Sequence, residues 1–275
     1  LLKDDVYVNG QYVGENHYGY NSFSIEISDY LICSNTALNL IAVKVVNDIP
    51  SSRWYSGSGI NRDVTLTISG PVHISLYGPK VTTPGIKNGD GTAKADITMH
   101  NDTAISKKVI VEATILDDNH NAVSDTVVSS TVLVPANAEQ TVTLKPEVDS
   151  PKLWSPENPY LYDFAVETEE DRVESYFAIR DLEIQIIGDY PRLCLNGKPY
   201  FFHGLLDQGY WSDGILTPAS PECFTRDILS MKKLGFNMLR KHIKVELEEF
   251  YYQCDKLGMV VFQDMVNNGD YNFIR

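Results

Sequence analysis

Charged and polar side chains collect at the ends of two apolar segments near the C-terminus of the chain. Arg240, His242 and Lys244 alternate at the end of one segment, so all three can face the same side. Asp264 closes the next apolar segment. An arginine can hold a carboxylate with two hydrogen bonds, whereas histidine and lysine donate to hydroxyl groups and aspartate accepts from them. These residue types predict part of a binding shell for a ligand that carries carboxylate or hydroxyl groups.

Two amphipathic helices are predicted close to these residues. The first is opened by Pro221, carries apolar residues at helical spacing and is ended by Gly235. The second covers residues 247–257 and is ended by Gly258. A glycine just past a helix adopts the left-handed conformation that closes it.

Residues 199–264 therefore read as strand, helix, strand, helix, strand. The first strand is the aromatic run 200–204, which leads into a loop over 205–217. The second and third strands are residues 236–242 and 259–262. Apolar strands that alternate with helices predict a parallel sheet covered on both faces. Polar residues just past the C-terminal ends of such strands face the ligand.

The second strand carries a family signature. Residues 237–240 read Asn-Met-Leu-Arg, with Asp255 eighteen positions and Gly258 twenty-one positions after the asparagine. This pattern resembles the first signature of glycoside hydrolase family 2, which includes β-galactosidases and β-glucuronidases. The lead-in at 195–204 is similar to the start of the family's catalytic (β/α)8 TIM barrel. The resemblance implies hydrolysis of a terminal β-galactoside or β-glucuronide and a carbohydrate partner.

One position departs from the family pattern. The family's histidine lies six residues after the asparagine, whereas His242 lies five after Asn237. A shift by one residue reverses the face to which a strand residue points.

The resemblance also implies a set of residues around the sugar. Arg240, His242 and Lys244 would face the barrel axis. Asp264 would accept from a sugar hydroxyl. Asp207 and Trp211 would form one wall, with the indole ring stacked on a pyranose. The alternative for each is structural, namely a polar layer that closes the barrel, with Arg240 paired to Asp264, and a packing role for Lys244 and Trp211.

The resemblance further implies two catalytic glutamates on later strands, about 5–5.5 Å apart as retention requires. No Asn-Glu pair follows residue 199, so no catalytic residue is assigned and both glutamates are expected beyond Arg275. Glu246, Glu248 and Glu249 are expected in a first helical turn, where acidic residues serve the helix dipole. The 275-residue chain alone is expected to be inactive.

A metal site is not expected. The family's β-galactosidases often bind a metal after the third strand, but the matching residues 264–270 lack the acid-then-histidine pair of ligands. No cofactor is expected either.

The first two thirds of the chain are predicted to form β-structure. Residues 1–80 open with a hairpin around Asn9-Gly10 and add strands at 23–27, 38–45 and 64–68. The motif at 58–64 resembles that of the family's jelly-roll sugar-binding domain, of which part would be present. The loop before it holds Arg53, Trp54 and Tyr55, expected either to contact sugar or, for Trp54, to pack between domains.

A second β-unit is predicted for residues 81–188. Its strands are expected at 95–99, 108–115, 122–133, 139–144, 161–166 and 172–178. Their number is near that of an immunoglobulin-like sandwich. Trp154 is expected to pack a rigid corner, and Arg180 to form a salt bridge to a neighbouring domain. Residues 189–275 would then begin the TIM barrel, of which three strands can be counted, so the chain is expected to be a fragment of a longer enzyme.

Composition limits the partners. The chain carries 37 acidic and 23 basic residues, a net charge of −14, which makes nucleic acid and anionic membranes poor partners. The four cysteines lack a close pair, which predicts reduced thiols and a cytoplasmic location. The chain, which starts Leu1-Leu2-Lys3, is expected to open inside a domain, so a periplasmic or secreted location stays open, as does a homo-oligomeric assembly.

Two alternatives to a catalytic fragment remain. The chain could be a non-catalytic carbohydrate-binding module built from β-sandwiches, although such a module has no use for a partial barrel. The barrel portion could also be unfolded, or completed by a partner chain.

Overall fold

The computed structural model describes residues 2–19, 21–47, 58–84, 86–87, 90–117, 119–123 and 127–265. The chain forms 20 strands, two α-helices and one 3-10 helix within these ranges. None of the described helices is long and apolar enough to cross a membrane.

The N-terminal unit is a three-stranded antiparallel sheet in the order β2-β1-β3. Its strands are β1 (Leu2–Val8), β2 (Gln11–Asn16) and β3 (Ile41–Asn47), and a 3-10 helix covers Ser28–Tyr30. The predicted hairpin is present, with Asn9 and Gly10 at φ 51° and 82°, the positive values that a tight hairpin turn needs.

The predictions of two strands in this unit are wrong. Residues 23–27 and 64–68 form no strand. A strand needs a partner for its backbone groups, and no neighbour pairs with either segment in the described part of the chain. Val64, Leu66 and Ile68 are accordingly exposed.

The middle unit is a β-sandwich whose antiparallel sheets share one core. One sheet has the order β10-β9-β13-β14, the second β11-β8-β4 with β5 also on β8, and a small third sheet β12-β7-β6. The strands are β4 (Val72–Ile74), β5 (Lys80–Thr82), β6 (Ile86–Lys87), β7 (Asp90–Thr92), β8 (Lys94–Asn101), β9 (Lys107–Leu116), β10 (Val128–Val134), β11 (Ala138–Leu144), β12 (Glu147–Val148), β13 (Tyr162–Glu167) and β14 (Arg172–Phe177).

Alternation along these strands builds the core. Ala95, Ile97 and Met99 of β8 are fully buried, and they pack with Ile115 of β9 and Phe164 of β13. Burying a side chain as large as Phe164 contributes about 1.5–3 kcal/mol. Five of the six strands predicted here are confirmed, whereas the strand predicted over 122–133 starts only at Val128 in the described part of the chain. The unit begins at β4, before the predicted boundary at residue 81.

A three-stranded antiparallel sheet, β15-β16-β17, follows. Its strands are β15 (Leu182–Ile187), β16 (Tyr190–Leu195) and β17 (Lys198–Pro199). Asn196 and Gly197, at φ 51° and 74°, make the turn between the last two.

The C-terminal unit is a parallel sheet in the order β18-β19-β20, with a helix in each connection. Its elements are β18 (Gly204–Asp207), α1 (Glu222–Lys233), β19 (Met238–Lys241), α2 (Glu248–Leu257) and β20 (Val260–Gln263). The predicted glycine stops are confirmed, because Gly235 and Gly258 have φ 92° and 75°. The first strand starts at Gly204, so the prediction of a strand over 200–204 is wrong.

The two faces of this parallel sheet differ. Leu239 packs against Phe224 and Ile228 of α1 and Phe250 of α2 in a small hydrophobic core. The opposite face carries Arg240 in register with Leu206 and Phe262, all of them exposed.

Candidate active site at the carboxyl edge of the parallel strands

Arg240 and Asp264 form an ion pair at the carboxyl edge of the parallel strands. The Arg240 Nε donates to Asp264 Oδ1 at 2.9 Å and its Nη2 donates to Oδ2 at 3.1 Å, a two-bond fork. The backbone N–H of Asp264 donates to the Lys241 carbonyl at 3.0 Å, which fixes the aspartate beside β19. The Arg240 bonds, with a smaller contribution from His242, lower the pKa of Asp264. The pairing that was stated above as the structural alternative to sugar binding is therefore present, and more than half of the arginine side chain stays exposed.

His242 lies beside this pair. Its backbone N–H donates to the Asp207 carbonyl at 2.8 Å, and its Nδ1 lies 3.2 Å from Gln208 Nε2. An amide nitrogen can only donate, so this contact assigns Nδ1 as the acceptor. The sequence did not single out Gln208; its place directly after β18 was the available signal.

Lys244 does not share the face of Arg240, contrary to the predicted alternation. Strand β19 ends at Lys241, and Ile243 has φ 49°, a value that β-branched residues rarely adopt. This turn sends Lys244 into the interior, where only 1% of its side chain is exposed. Its Nζ donates to the carbonyls of Gly209 and Leu216. Burial lowers the pKa of Lys244, and Glu246 opposes that shift.

Asp207 belongs to the same buried charged cluster as Lys244. Lys241 Nζ lies 2.8 Å from Asp207 Oδ2 and 3.1 Å from Glu246 Oε1, and Lys244 Nζ lies 2.8 Å from that same Glu246 oxygen. We call Asp207, Lys241, Lys244 and Glu246 the buried charge cluster. Asp207 therefore lies behind the sheet rather than on the side of Arg240. Lys241 was not singled out from the sequence. It follows Arg240 directly along the strand, so its side chain points to the opposite, buried face, where a lysine needs carboxylate partners.

Glu246 was expected in the first turn of a helix, and that expectation is wrong. Helix α2 begins at Glu248, and the Glu246 side chain is 0% exposed. Gly209 makes room for it, since a Cβ at position 209 would lie 2.0 Å from Glu246 Oε1.

Trp211 packs rather than lining an open wall. Its ring meets Phe224 edge-on, with the centroids 5.6 Å apart, at the margin of the core behind the sheet. The Trp211 Nε1 is buried and has no hydrogen-bond partner within the described ranges.

Asn237 of the signature holds the chain that leads into β18. Its Oδ1 accepts from the His203 N–H at 2.8 Å, and its Nδ2 donates to the Phe201 carbonyl at 3.0 Å. These two bonds occupy the backbone just before Gly204, which explains why the first strand starts later than predicted. The loop residues Arg53, Trp54 and Tyr55, and residues 266–270 of the segment considered for a metal, lie outside the described residues.

Asp255 and Gly258, the other signature residues, lie where α2 meets the middle unit. Asp255 accepts from Tyr176 Oη at 3.2 Å and from Arg180 Nη1 at 3.5 Å. Trp154 Nε1 donates to the Asp255 carbonyl at 2.7 Å. The salt bridge expected for Arg180 and the packing role expected for Trp154 are both present. A Cβ at Gly258 would lie 2.5 Å from the Pro156 carbonyl oxygen, so this close approach requires glycine.

Burial raises the pKa of Asp255 above its ordinary value, against the opposing effect of Arg180. A folded-state pKa above the unfolded one gives stability that is complete below the unfolded pKa and is lost as pH rises through the folded pKa. We therefore expect Asp255→Asn to gain stability relative to the wild type as pH rises from below about 4. Urea unfolding of both proteins from pH 3.5 to 8 measures the difference. A difference that stays constant or shrinks with pH would contradict the assignment.

Comparison with known proteins gives one consistent relationship. A profile of the Glycosyl hydrolases family 2 matches residues 72–180. A beta-galactosidase of Bacteroides ovatus is 29% identical over 96% of this chain and 31% of that protein. A beta-galactosidase of Thermoanaerobacter pseudethanolicus is 31% identical over 94% of this chain and 35% of that protein. A putative beta-glucuronidase of Formosa agariphila is 29% identical over 96% of this chain and 24% of that protein.

Solved structures agree with the sequence relatives. A glycosyl hydrolase family 2 member from Bacteroides cellulosilyticus superposes with a TM-score of 0.85 at 30% identity, over 99% of this chain and 36% of that one. A beta-glucuronidase of Bacteroides uniformis superposes with a TM-score of 0.81 at 25% identity, over 96% of this chain and 33% of that one. The chain thus spans about a third or less of the length of its relatives.

Proposed function

Because this chain belongs to the family 2 glycosyl hydrolases, we propose that the protein that carries it hydrolyses terminal β-glycosidic bonds with retention of configuration. The observation that carries the proposal is the polar carboxyl edge of the parallel strands, where Arg240 stays more than half exposed although it is paired to Asp264, and where His242 lies beside the pair. Polar groups at this edge of a parallel sheet are where ligands bind.

The parallel sheet is proposed to be the opening part of a (β/α)8 barrel. Its strands are adjacent and parallel, and both helices pack on one face. The other face exposes Leu206, 55% accessible, and Phe262, 37% accessible, next to Arg240. A closed barrel would cover these apolar side chains and leave the polar rim open to a sugar. We also propose that the N-terminal sheet is part of a jelly-roll sugar-binding domain and that the middle sandwich, which begins at β4, is an immunoglobulin-like spacer.

The substrate is proposed to be a neutral β-glycoside, with a β-galactoside as the first choice. Asp264 already neutralises Arg240 and takes two of its donors. A uronate carboxylate approaching this rim would have to displace Asp264, whereas a hydroxyl can use the remaining arginine N–H groups without breaking the pair. Two of the relatives named above are beta-galactosidases. A β-glucuronide is the second candidate, because other relatives carry that name.

The carboxylates that act on the glycosidic bond are proposed to come from barrel strands that this chain does not contain. Glu246 does not qualify, since it is fully buried and shared between two lysines. The chain supplies groups that orient the sugar. Holding a substrate in the reactive geometry lowers the activation barrier.

Assay of the full-length protein against nitrophenyl β-galactoside and β-glucuronide tests the proposal. We expect cleavage with retention of configuration and a preference for the galactoside, whereas the 275-residue chain alone is expected to be inactive. Cleavage by the short chain at an enzymic rate would contradict the proposed origin of the carboxylates. A preference for the glucuronide would contradict the neutral-sugar argument.

Arg240→Met is expected to lower kcat/KM of the full-length enzyme on the order of a hundredfold, because the sugar loses an oriented donor and Asp264 loses its partner. Arg192→Met is a matched control, since Arg192 is exposed on β16. Steady-state kinetics measures both variants. An Arg240→Met enzyme within about twofold of the control would place Arg240 outside the substrate shell.

A further inference from the structure

The turn that follows β19 places a β-branched residue in a backbone conformation that such residues rarely adopt. Ile243 has φ 49°, and the Lys244 N–H donates to the His242 carbonyl at 2.7 Å. A β-branched residue at positive φ persists only when its surroundings impose the conformation. Something other than the local sequence must therefore hold residues 242–246, which we call the strand-end turn.

The turn is held from behind by the buried charge cluster. Glu246 accepts from Lys241 and Lys244, whose side chains are both 1% exposed. Lys241 also pairs with Asp207 at the end of β18. These bonds fix the two ends of the turn against the interior of the C-terminal unit.

The turn is held from the front by residues from the other end of the chain. Tyr18 Oη donates to the Ile243 carbonyl at 3.3 Å, and Arg62 Nη2 donates to the Val245 carbonyl at 2.6 Å. These carbonyls lie on alternate residues of the turn, and their donors are 225 and 183 positions away in sequence. Burial raises the pKa of Tyr18 to about 12, so its hydroxyl stays a donor at neutral pH.

The Arg62 side chain makes few other polar contacts with the residues that the structure describes. Its Nε and Nη1 are buried and make no hydrogen bond with any described residue, so the bond to Val245 is the one described hydrogen bond that its side chain donates. Burying a guanidinium for one backbone carbonyl is costly. Burial lowers the pKa of Arg62, and the charge of Glu246 in the buried charge cluster opposes that shift.

The turn carries His242 and adjoins the ion pair at the rim. The Lys241 carbonyl, one residue before His242, accepts from the Asp264 N–H, and the His242 N–H donates to Asp207. A movement of the turn therefore moves His242 and loosens the anchor of Asp264.

We propose that Tyr18 and Arg62 of the N-terminal unit are positioning residues for the rim, which lock the strand-end turn and thereby fix His242 relative to Arg240 and Asp264. The effect on catalysis rests on the proposed function, whereas the effect on the turn does not. The N-terminal unit is thus part of the scaffold of the site, even where it does not contact the sugar.

Two measurements on the full-length protein test this. Hydrogen–deuterium exchange is followed for the peptide that covers residues 242–247, and steady-state kinetics is measured on an aryl β-galactoside. The variants are Arg62→Met, Arg62→Lys and Tyr18→Phe, with Arg226→Met as the control because Arg226 is exposed on α1.

We expect Arg62→Met and Tyr18→Phe to speed exchange in 242–247 several-fold while exchange in α1 stays unchanged. We expect Arg62→Met to lower kcat/KM about tenfold, mainly through kcat, at a melting temperature near that of the control. Arg62→Lys keeps a donor for Val245 and should recover most of the loss.

Exchange in 242–247 equal to that of Arg226→Met would overturn the inference. Faster exchange with unchanged kcat/KM would overturn the link from the turn to His242. If the wild-type protein cleaved no glycoside, the proposed function would fail, and the exchange data would still decide whether Tyr18 and Arg62 hold the turn.

Discussion

Replacing Glu246 by alanine is expected to lower the free energy of unfolding by about 3–5 kcal/mol, the cost of removing one partner from a buried ion pair. Glu246 Oε1 accepts from both Lys241 and Lys244, and each lysine side chain is 1% exposed. After the substitution Lys241 keeps Asp207, but Lys244 keeps only neutral carbonyl partners. The pKa of Lys244, already lowered by burial, should fall further. Urea unfolding followed by Trp fluorescence and by circular dichroism measures the loss.

Three further variants separate the effect of the Glu246 charge from the effect of its size. Glu246→Gln keeps the volume and an acceptor oxygen, so it should cost less than alanine. Glu248→Ala, at an exposed position at the start of α2, should change stability by about 0.5 kcal/mol or less. The triple replacement of Lys241, Lys244 and Glu246 by Met, Met and Leu should fold at least as stably as Glu246→Ala, since apolar residues can replace buried ion pairs without loss. A Glu246→Ala protein as stable as the Glu248→Ala control would mean that the cluster is solvated in solution.

Local signals predicted the elements of the C-terminal unit well. The two helices were expected from apolar spacing, and their ends from glycines that do adopt positive φ. The hairpin at Asn9-Gly10 was expected for the same kind of reason, because the residues that turns require are few. The Arg240–Asp264 pair was expected as the structural alternative to sugar binding, and both residues lie at the carboxyl edge of the parallel strands.

Non-local contacts explain the failures. The face of Lys244 depends on positive φ at Ile243, which the sequence does not favour and which distant partners impose. The late start of β18 depends on the Asn237 side chain, 34 residues from His203. Residues 64–68 have the alternation of a strand, but alternation gives no information on whether a partner strand lies beside them. Whether such contacts form between residues far apart in sequence cannot be derived from local patterns.

Replacing Trp154 by alanine is expected to cost about 3–5 kcal/mol and to separate the unfolding of the middle unit from that of the C-terminal unit. Trp154 is 2% exposed. Its Nε1 donates to the Asp255 carbonyl on α2, and its own carbonyl accepts from Asn196 Nδ2 at 3.0 Å. The Arg180 guanidinium lies 5.0 Å from the ring centroid and also pairs with Asp255. The indole therefore joins the sandwich to α2, and the backbone carbonyl of the same residue holds the β16–β17 turn.

The variant Trp154→Phe distinguishes packing from the hydrogen bond. Phenylalanine keeps most of the buried ring but leaves the Asp255 carbonyl without its donor, so we expect a loss of about 1–3 kcal/mol and a single unfolding transition. Trp154→Ala should instead give two transitions by calorimetry, because the cavity removes the contact through which the two units stabilise each other. Calorimetry that finds one transition in both variants, at the same temperature as in the wild type, would show that the contacts of Lys232 with the Pro156 and Gly258 carbonyls are enough to couple the units.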